Sequence, residues 1–253
     1  MKKFKTGSKS LRILFFPENK WQDTLKNSRL DKDKKRWGIM RVRKRKKRFL
    51  TFFLFLSFIS LGMTAYLLVK NYREYQQVMV LEEKVNQQIA ETDLVAYKDV
   101  ILSMIYTESK GLGDDPMQSS ESAYGEVGKM TLADDSIRQG VTYFSQALAL
   151  AKEQQVDLWS AVQAYNFGLD YIYFVAGNGG VNHTDLAEEY SRDILAPQLG
   201  NTDHSRYRYF KLPALLHNGG YLYYNGGNLF YAETVRWNQQ KIQFFHKLTE
   251  LFS

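Results

Sequence analysis

The stretch 99-DVILSMIYTESKGLGDDPMQSSES-122 decides how the rest of the chain is read. Ile101, Met104, Ile105 and Glu108 recur at three- and four-residue spacing, which aligns them on one face of a helix. A carboxylate therefore lies in line with three apolar side chains, on the face expected to pack inward. Gly111 and Gly113 stop the helix and leave Glu108 near its carbonyl end. Burial and the negative end of the helix dipole both disfavour the ionised carboxyl, so both raise the expected pKa of Glu108. Lys110 acts in the opposite direction, but a lysine at a helix end reaches water. A carboxyl that keeps its proton near neutrality suits general-acid chemistry. The competing reading is an ordinary glutamate that reaches solvent where the helix ends.

Downstream the pattern is a string of helices. Ile137, Val141, Phe144, Leu148 and Ala151 form an amphipathic stripe that starts among acidic residues and Ser136. Asp157 caps a further helix with the stripe Leu158, Ala161, Val162 and Tyr165, stopping at Phe167-Gly168. A short aromatic segment, Tyr171 to Ala176, runs into a break at 177–180. Asp185 and Glu188 make a capping-box-like start for 186–195, which ends before Pro197. Residues 198–230, rich in Tyr, Gly and Asn, are expected to be loops and irregular pieces, followed by a terminal helix from Tyr231 to Phe252. No segment alternates as a sheet would require, so the domain is expected to be mostly α.

Upstream, charge divides the chain. Residues 1–48 hold 19 Lys+Arg against 4 Asp+Glu, and the remainder 15 against 23, so a head of +15 precedes a body of −8. The head ends in the basic run 41–48. A nucleic-acid arm is one use of such a run, but its position favours another. The next 21 residues, Phe49 to Val69, carry no charge and are almost all apolar, long enough to cross a bilayer as a helix. Basic residues flanking a span mark its cytoplasmic side. The expected organisation is a basic cytoplasmic segment (1–48), a single-pass signal anchor (49–69), a helical stem (70–91) and an extracytoplasmic domain (92–253). A cleaved signal peptide fits less well, because its charged region would be 48 residues long and no clear small-x-small site follows. In the stem, Val78, Leu81 and Val85 share one side, a repeat too short for a coiled coil, so a solvated spacer is expected. The chain has no cysteine, which excludes disulfides and thiolate metal sites.

Asp114, Asp115 and Glu121 lie in the loop beyond Glu108. Glycoside hydrolysis commonly uses two carboxyl groups, one protonating the leaving oxygen and one acting on water or on the anomeric carbon. Acidic loop residues are equally compatible with a solvated surface, and the serines at 119, 120 and 122 with turn chemistry. Glu108-Ser109, Met117-Gln-Ser119, Ile137-Arg-Gln-Gly-Val141 with Tyr143-Phe144, and Ala164-Tyr-Asn-Phe-Gly168 follow in the order and rough spacing of a known domain. On these motifs, 92–250 resembles the lysozyme-like domain of goose-type lysozymes and soluble lytic transglycosylases. It is most similar to the bacterial subgroup that includes pneumococcal vaccine antigen A and the muramidase half of bifunctional cell-wall hydrolases. Asp115-Pro-Met-Gln-Ser-Ser-Glu121 and Asn228-Leu-Phe-Tyr-Ala-Glu233 belong to the same resemblance.

The resemblance implies cleavage of the β-1,4 bond between N-acetylmuramic acid and N-acetylglucosamine in peptidoglycan. It makes Glu108 the catalytic acid and Glu121 the candidate for positioning water. Ser109, Gln118 and Ser119 are assigned to substrate binding along the cleft, and Tyr165 with Asn166 to the pair that holds an N-acetyl sugar. Tyr165 also lies on an apolar stripe, where a core ring with a bonded hydroxyl is an equal reading. An Asp-Pro-Met-Gln loop in place of Gly-Leu-Met-Gln, and Phe167 in place of a small residue, leave hydrolase and transglycosylase both open. His183, His204, His217 and His246 show no metal-ligand spacing and are expected on the surface or in loops. No cofactor or metal is expected. The partners expected are glycan strands, the membrane and cell-wall or division proteins, with a non-catalytic glycan-binding scaffold as the alternative from another class.

Overall fold

The computed structural model describes residues 18–119 and 132–252. Residues 1–17, 120–131 and 253 lie outside the described residues, and Glu121 is among them. Two units divide the chain, Met1–Tyr66 and Leu67–Ser253.

The first unit contributes most of α1, a helix that runs Glu18–Met79. Its apolar side chains from Phe49 to Tyr66 are exposed, with Phe53 and Leu61 both above 60%. That is the surface expected of a segment solvated by lipid rather than by water. Its hydroxyls return to the helix itself, Thr51 to the Lys47 carbonyl and Thr64 to the Ser60 carbonyl, both at 2.9 Å. These two hydroxyls are thus satisfied within the segment.

The second unit is almost entirely helical. After α1 come α2 (Glu82–Ile89), a 3-10 turn (Asp93–Tyr97), α3 (Lys98–Glu108), α4 (Ala133–Glu153), α5 (Leu158–Phe167), α6 (Asp170–Gly177) and α7 (Thr184–Tyr190). A π turn, Ser191–Leu195, and a last turn, Ala196–Gln198, extend α7. Strand β1 (Arg206–Arg208), α8 (Leu212–Asn218), strand β2 (Tyr221–Tyr223) and α9 (Tyr231–Phe252) complete the chain.

Helix α3 is the axis of this unit. Every residue from Val100 to Tyr106 is buried, so the helix is enclosed on all sides and not only along the expected stripe. It packs along α9, while α4 packs on α5 and α2 touches both α3 and α4. The stripe of α4 faces this core at all five expected positions, Ile137, Val141, Phe144, Leu148 and Ala151. Asp157 caps α5 by accepting the Ser160 amide at 3.1 Å, and Gly168, at φ 91°, ends it.

The structure changes some of these expectations and fills in others. Residues 70–91 are no solvated spacer: Tyr75, Val78, Leu81, Val85 and Ile89 are buried in the core, and Phe245 of α9 packs against the Tyr72 and Tyr75 rings. Tyr75 and Ile89 extend a stripe that three aliphatic positions alone had left too short. The aromatic segment 171–176 is helix α6. Residues 198–230 hold helix α8 and a two-stranded antiparallel ribbon pairing Arg206 with Tyr223, strands of three residues being too short to show alternation. His183, rather than a capping box, starts α7, its Nδ1 accepting the Leu186 amide at 3.2 Å. Glu188 turns instead to His217 at 2.7 Å, which makes His217 a half-buried hydrogen-bond partner and not a surface residue.

Candidate active site

Glu108 is the last residue of α3. Beyond it Lys110 (φ 58°) and Gly111 (φ 76°) turn the chain through left-handed backbone. Gly111 is required by contact as well as by conformation, since a Cβ there would lie 2.7 Å from the Gln77 carbonyl oxygen. The tight turn leaves Glu108 half-buried. Burial is the largest influence on its carboxyl; the Tyr231 hydroxyl opposes it, the Asp115 charge adds to it, and the pKa rises from 4.5 to about 7. Lys110 does not offset this, because its ammonium pairs with Glu74 at 3.0 Å. Glu108 is therefore an acid that still carries its proton close to neutral pH, the property a proton donor to a leaving oxygen needs.

The loop 109–119 is fastened from below. Ser109 Oγ donates to the Pro116 carbonyl at 2.8 Å and accepts the Gly111 amide at 3.1 Å. Asp115 Oδ1 accepts the Ser136 hydroxyl at 2.6 Å and the Ser119 amide at 2.9 Å. Ser136 Oγ in turn accepts the Met117 amide at 3.1 Å, and Ser119 Oγ donates to the Ser136 carbonyl at 2.9 Å. The buried start of α4 is thus the anchor for this loop. Ser119 is 2% exposed, so the structure places it and Ser109 as fasteners of the loop rather than as open substrate contacts. Gln118 is exposed at the loop tip with φ 48°, its amide donating to the Asp115 carbonyl at 3.0 Å. Asp114 is exposed and Asp115 half-buried.

Helices α4, α5 and α9 supply the walls. Tyr165 donates its hydroxyl to the Met117 carbonyl at 2.9 Å and stacks on Tyr231, with centroids 6.2 Å apart and planes 13° apart. Its phenol is held well above its ordinary pKa by burial and by the nearby Glu108 and Asp115. The bonded hydroxyl and half-buried ring favour the structural role for Tyr165. Gly140 lets α4 approach: a Cβ there would meet Met117 Sδ at 2.6 Å and the Tyr165 hydroxyl at 2.8 Å. Asn166 is exposed, and its Oδ1 accepts the Asn228 amide at 2.7 Å.

Two residues here carry no local sequence signal as site residues. Gln163, fully buried, donates to the Asn228 carbonyl at 2.9 Å and accepts the Ala232 amide at 3.0 Å, which fixes where α9 starts. That start places Tyr231, 2% exposed, against Glu108. The Tyr231 hydroxyl is buried without a hydrogen bond of ordinary length among the described residues, yet it faces the Glu108 carboxyl closely enough to favour the ionised form. The two groups are neighbours poised to bond, the hydroxyl meeting no acceptor in full hydrogen-bond geometry among the described residues.

Comparison with known proteins places this geometry. The sequence profile of the family described as lysozyme-like matches residues 75–239. A Streptococcus pyogenes protein named pneumococcal vaccine antigen A homolog is 43% identical over 206 residues, 81% of this chain and 98% of its own. The bifunctional muramidase/DL-endopeptidase CwlT of Bacillus subtilis is 35% identical over 94 residues, 37% of this chain and 28% of its own. A solved Staphylococcus aureus structure, described as similar to a lipoprotein of the NLP/P60 family, superposes with a TM-score of 0.59 at 31% identity. That match covers 65% of this chain and 52% of the other. The profile begins at Tyr75, inside the stretch that packs into the core, and with more than half of its length matched the chain belongs to the lysozyme-like family.

Proposed function

We propose that the chain is a membrane-anchored muramidase that cleaves the β-1,4 bond between N-acetylmuramic acid and N-acetylglucosamine. The observation that carries this reading is the Glu108 carboxyl, half-buried at the end of α3 with its pKa raised to about 7. Glu108 protonates the glycosidic oxygen as the bond to the anomeric carbon breaks, leaving an oxocarbenium-like centre. Water then adds at that carbon, and Glu121, outside the described residues, is the candidate that orients it. The Bacillus subtilis relative is named a muramidase, which supports the substrate class. The exposed apolar segment Phe49 to Val69 supports the anchor, with the basic head in the cytoplasm and the lysozyme-like domain outside.

One observation favours a second reading, a lytic transglycosylase. Asp115, the acidic neighbour of Glu108 among the described residues, has its Oδ1 engaged by Ser136 and Ser119 rather than open to a water. In that case the 6-hydroxyl of the muramic acid attacks its own anomeric carbon and gives a 1,6-anhydro sugar. Mass spectrometry of peptidoglycan digested with the full chain separates the readings. Reducing ends one water heavier than the anhydro form mark the hydrolase, and intact strands that Glu108→Gln leaves equally intact sink both.

A further inference from the structure

Within the second unit, Leu68, Asn71, Trp237, Gln240, Lys241 and Phe244 line a shallow open hollow between the start of this unit and α9. Trp237 and Phe244 lie seven residues apart, two turns along one face of α9, and are 61% and 51% exposed. Two large aromatics so exposed on one face of one helix, beside Leu68, form an apolar patch that calls for a neighbour. The sequence says which one. Leu68 is the last residue but one of the uncharged apolar run that ends at Val69, so the hydrocarbon boundary of a bilayer crossed by that run passes beside this hollow. Asn71, one turn further, turns its amide nitrogen back to donate to the Leu67 carbonyl at 2.7 Å, a donor bonded within the helix. Trp and other amphipathic rings concentrate at this depth of a membrane. Glu74, Lys110, Lys211 and Lys70 all stand close enough to Lys241 to act on its charge, and with Glu74 paired to Lys110 the balance at the rim of the hollow is cationic. A cationic rim complements anionic lipid headgroups.

We propose that Trp237, Phe244 and Leu68, rimmed by Lys70 and Lys241, form a seat that rests in the interfacial layer of the outer leaflet. The seat rests on the membrane-anchor reading above and fixes where the glycosidase site works. Gln77 lies eight residues past Val69, about 12 Å along a helix, and its carbonyl packs against Gly111. Glu108 is three residues from Gly111, at most about 10 Å of chain. Glu108 therefore lies within roughly 25 Å of the end of the apolar run, whatever the tilt of the helix. The substrate at that height is glycan at the membrane surface, still close to the reaction that polymerises it, and not the outer wall.

The chain has no cysteine, so single cysteines can be introduced into the full-length protein and spin-labelled in vesicles containing phosphatidylglycerol. Labels at Trp237→Cys, Phe244→Cys and Gln240→Cys are compared with Tyr173→Cys, an exposed position on α6, for collision with oxygen and with a water-soluble nickel chelate. Several-fold lower nickel access at the three hollow positions than at Tyr173 is the expected result. Gln240 is exposed and polar, so its substitution reports even where loss of an aromatic ring disturbs folding. Nickel access equal to that at Tyr173 overturns the seat. A label at Phe58→Cys tells the two failures apart: if it reports hydrocarbon while the hollow reports water, the anchor stands and the seat falls, and if Phe58 also reports water, both fall.

Discussion

Lys110 gives its ammonium to Glu74, 3.0 Å away, and leaves Glu108, two residues before it in the chain, without a cationic partner among the described residues. Burial works to raise the Glu74 pKa, but the hydrogen bonds from Lys110 and Tyr106 outweigh it and hold the carboxyl below its ordinary range. The residue that sequence would have set against the acid is thereby taken away from it by a helix 34 positions upstream. Glu74→Gln releases Lys110, whose charge then favours the ionised form of Glu108. Wall lysis by a general acid falls as pH rises through the acid's pKa, near 7 here. The variant is expected to move that alkaline limb to lower pH by up to about one unit. A turbidity-clearing profile across pH measures it, and an unmoved limb refutes the role given to Glu74.

Glu108 costs the fold stability at the pH where it is most useful. Its pKa is raised by burial from 4.5 to about 7, so between those values the folded chain keeps a proton that the unfolded chain has released. Stability therefore declines as pH climbs through that window, and the full cost is carried above 7. Glu108→Gln removes it, and is expected to gain about 2 to 3 kcal/mol at pH 8 and almost nothing at pH 4, while abolishing lysis. Thermal melts of both proteins at the two pH values test this. An equal gain at both would mean that the effect is not titration of Glu108.

Helical periodicity is a local property, and it carried the parts of the fold that are local. The five-residue stripe of α4, the Asp157 cap and the glycine stop after Glu108 are each written within a few turns of chain. Gln163 and Tyr231 are not. A buried glutamine that binds backbone 65 and 69 residues away leaves no pattern in its own neighbourhood. Tyr231, the first residue of α9, belongs to the site only because Gln163 sets that start. The hydroxyls of Ser109 and Ser119 illustrate the converse. Motif position marked them for substrate, but the geometry of the loop uses them to hold itself together.

Tyr231→Phe separates burial from chemistry. The hydroxyl it removes is enclosed without a formed bond among the described residues, and an unsatisfied buried polar group is a cost. Stability is expected to stay level or to rise by about 1 kcal/mol. The hydroxyl also favours ionised Glu108, so its loss pushes the Glu108 pKa higher and moves the alkaline limb of lysis upward. Melting temperature and pH profile should thus change independently. A large loss of stability would show that the hydroxyl does make a bond in solution.

Gly140 is the narrowest point between α4 and the loop. A methyl group there meets Met117 Sδ and the Tyr165 hydroxyl within 2.8 Å, and neither can retreat freely, because the Met117 carbonyl is the acceptor for Tyr165. Gly140 is helical with negative φ, so backbone conformation does not oppose alanine and only the contact does. Gly140→Ala is expected to cost about 1 to 3 kcal/mol from overpacking. It should also break the Tyr165–Met117 bond, loosening the loop that carries Asp115 and Gln118 beside the acid. Lysis should then fall further than the lost stability alone explains. Comparison with Leu148→Ala, buried two turns further along the same helix, provides the measure. If the two variants lose activity in proportion to stability, Gly140 serves the core and not the site.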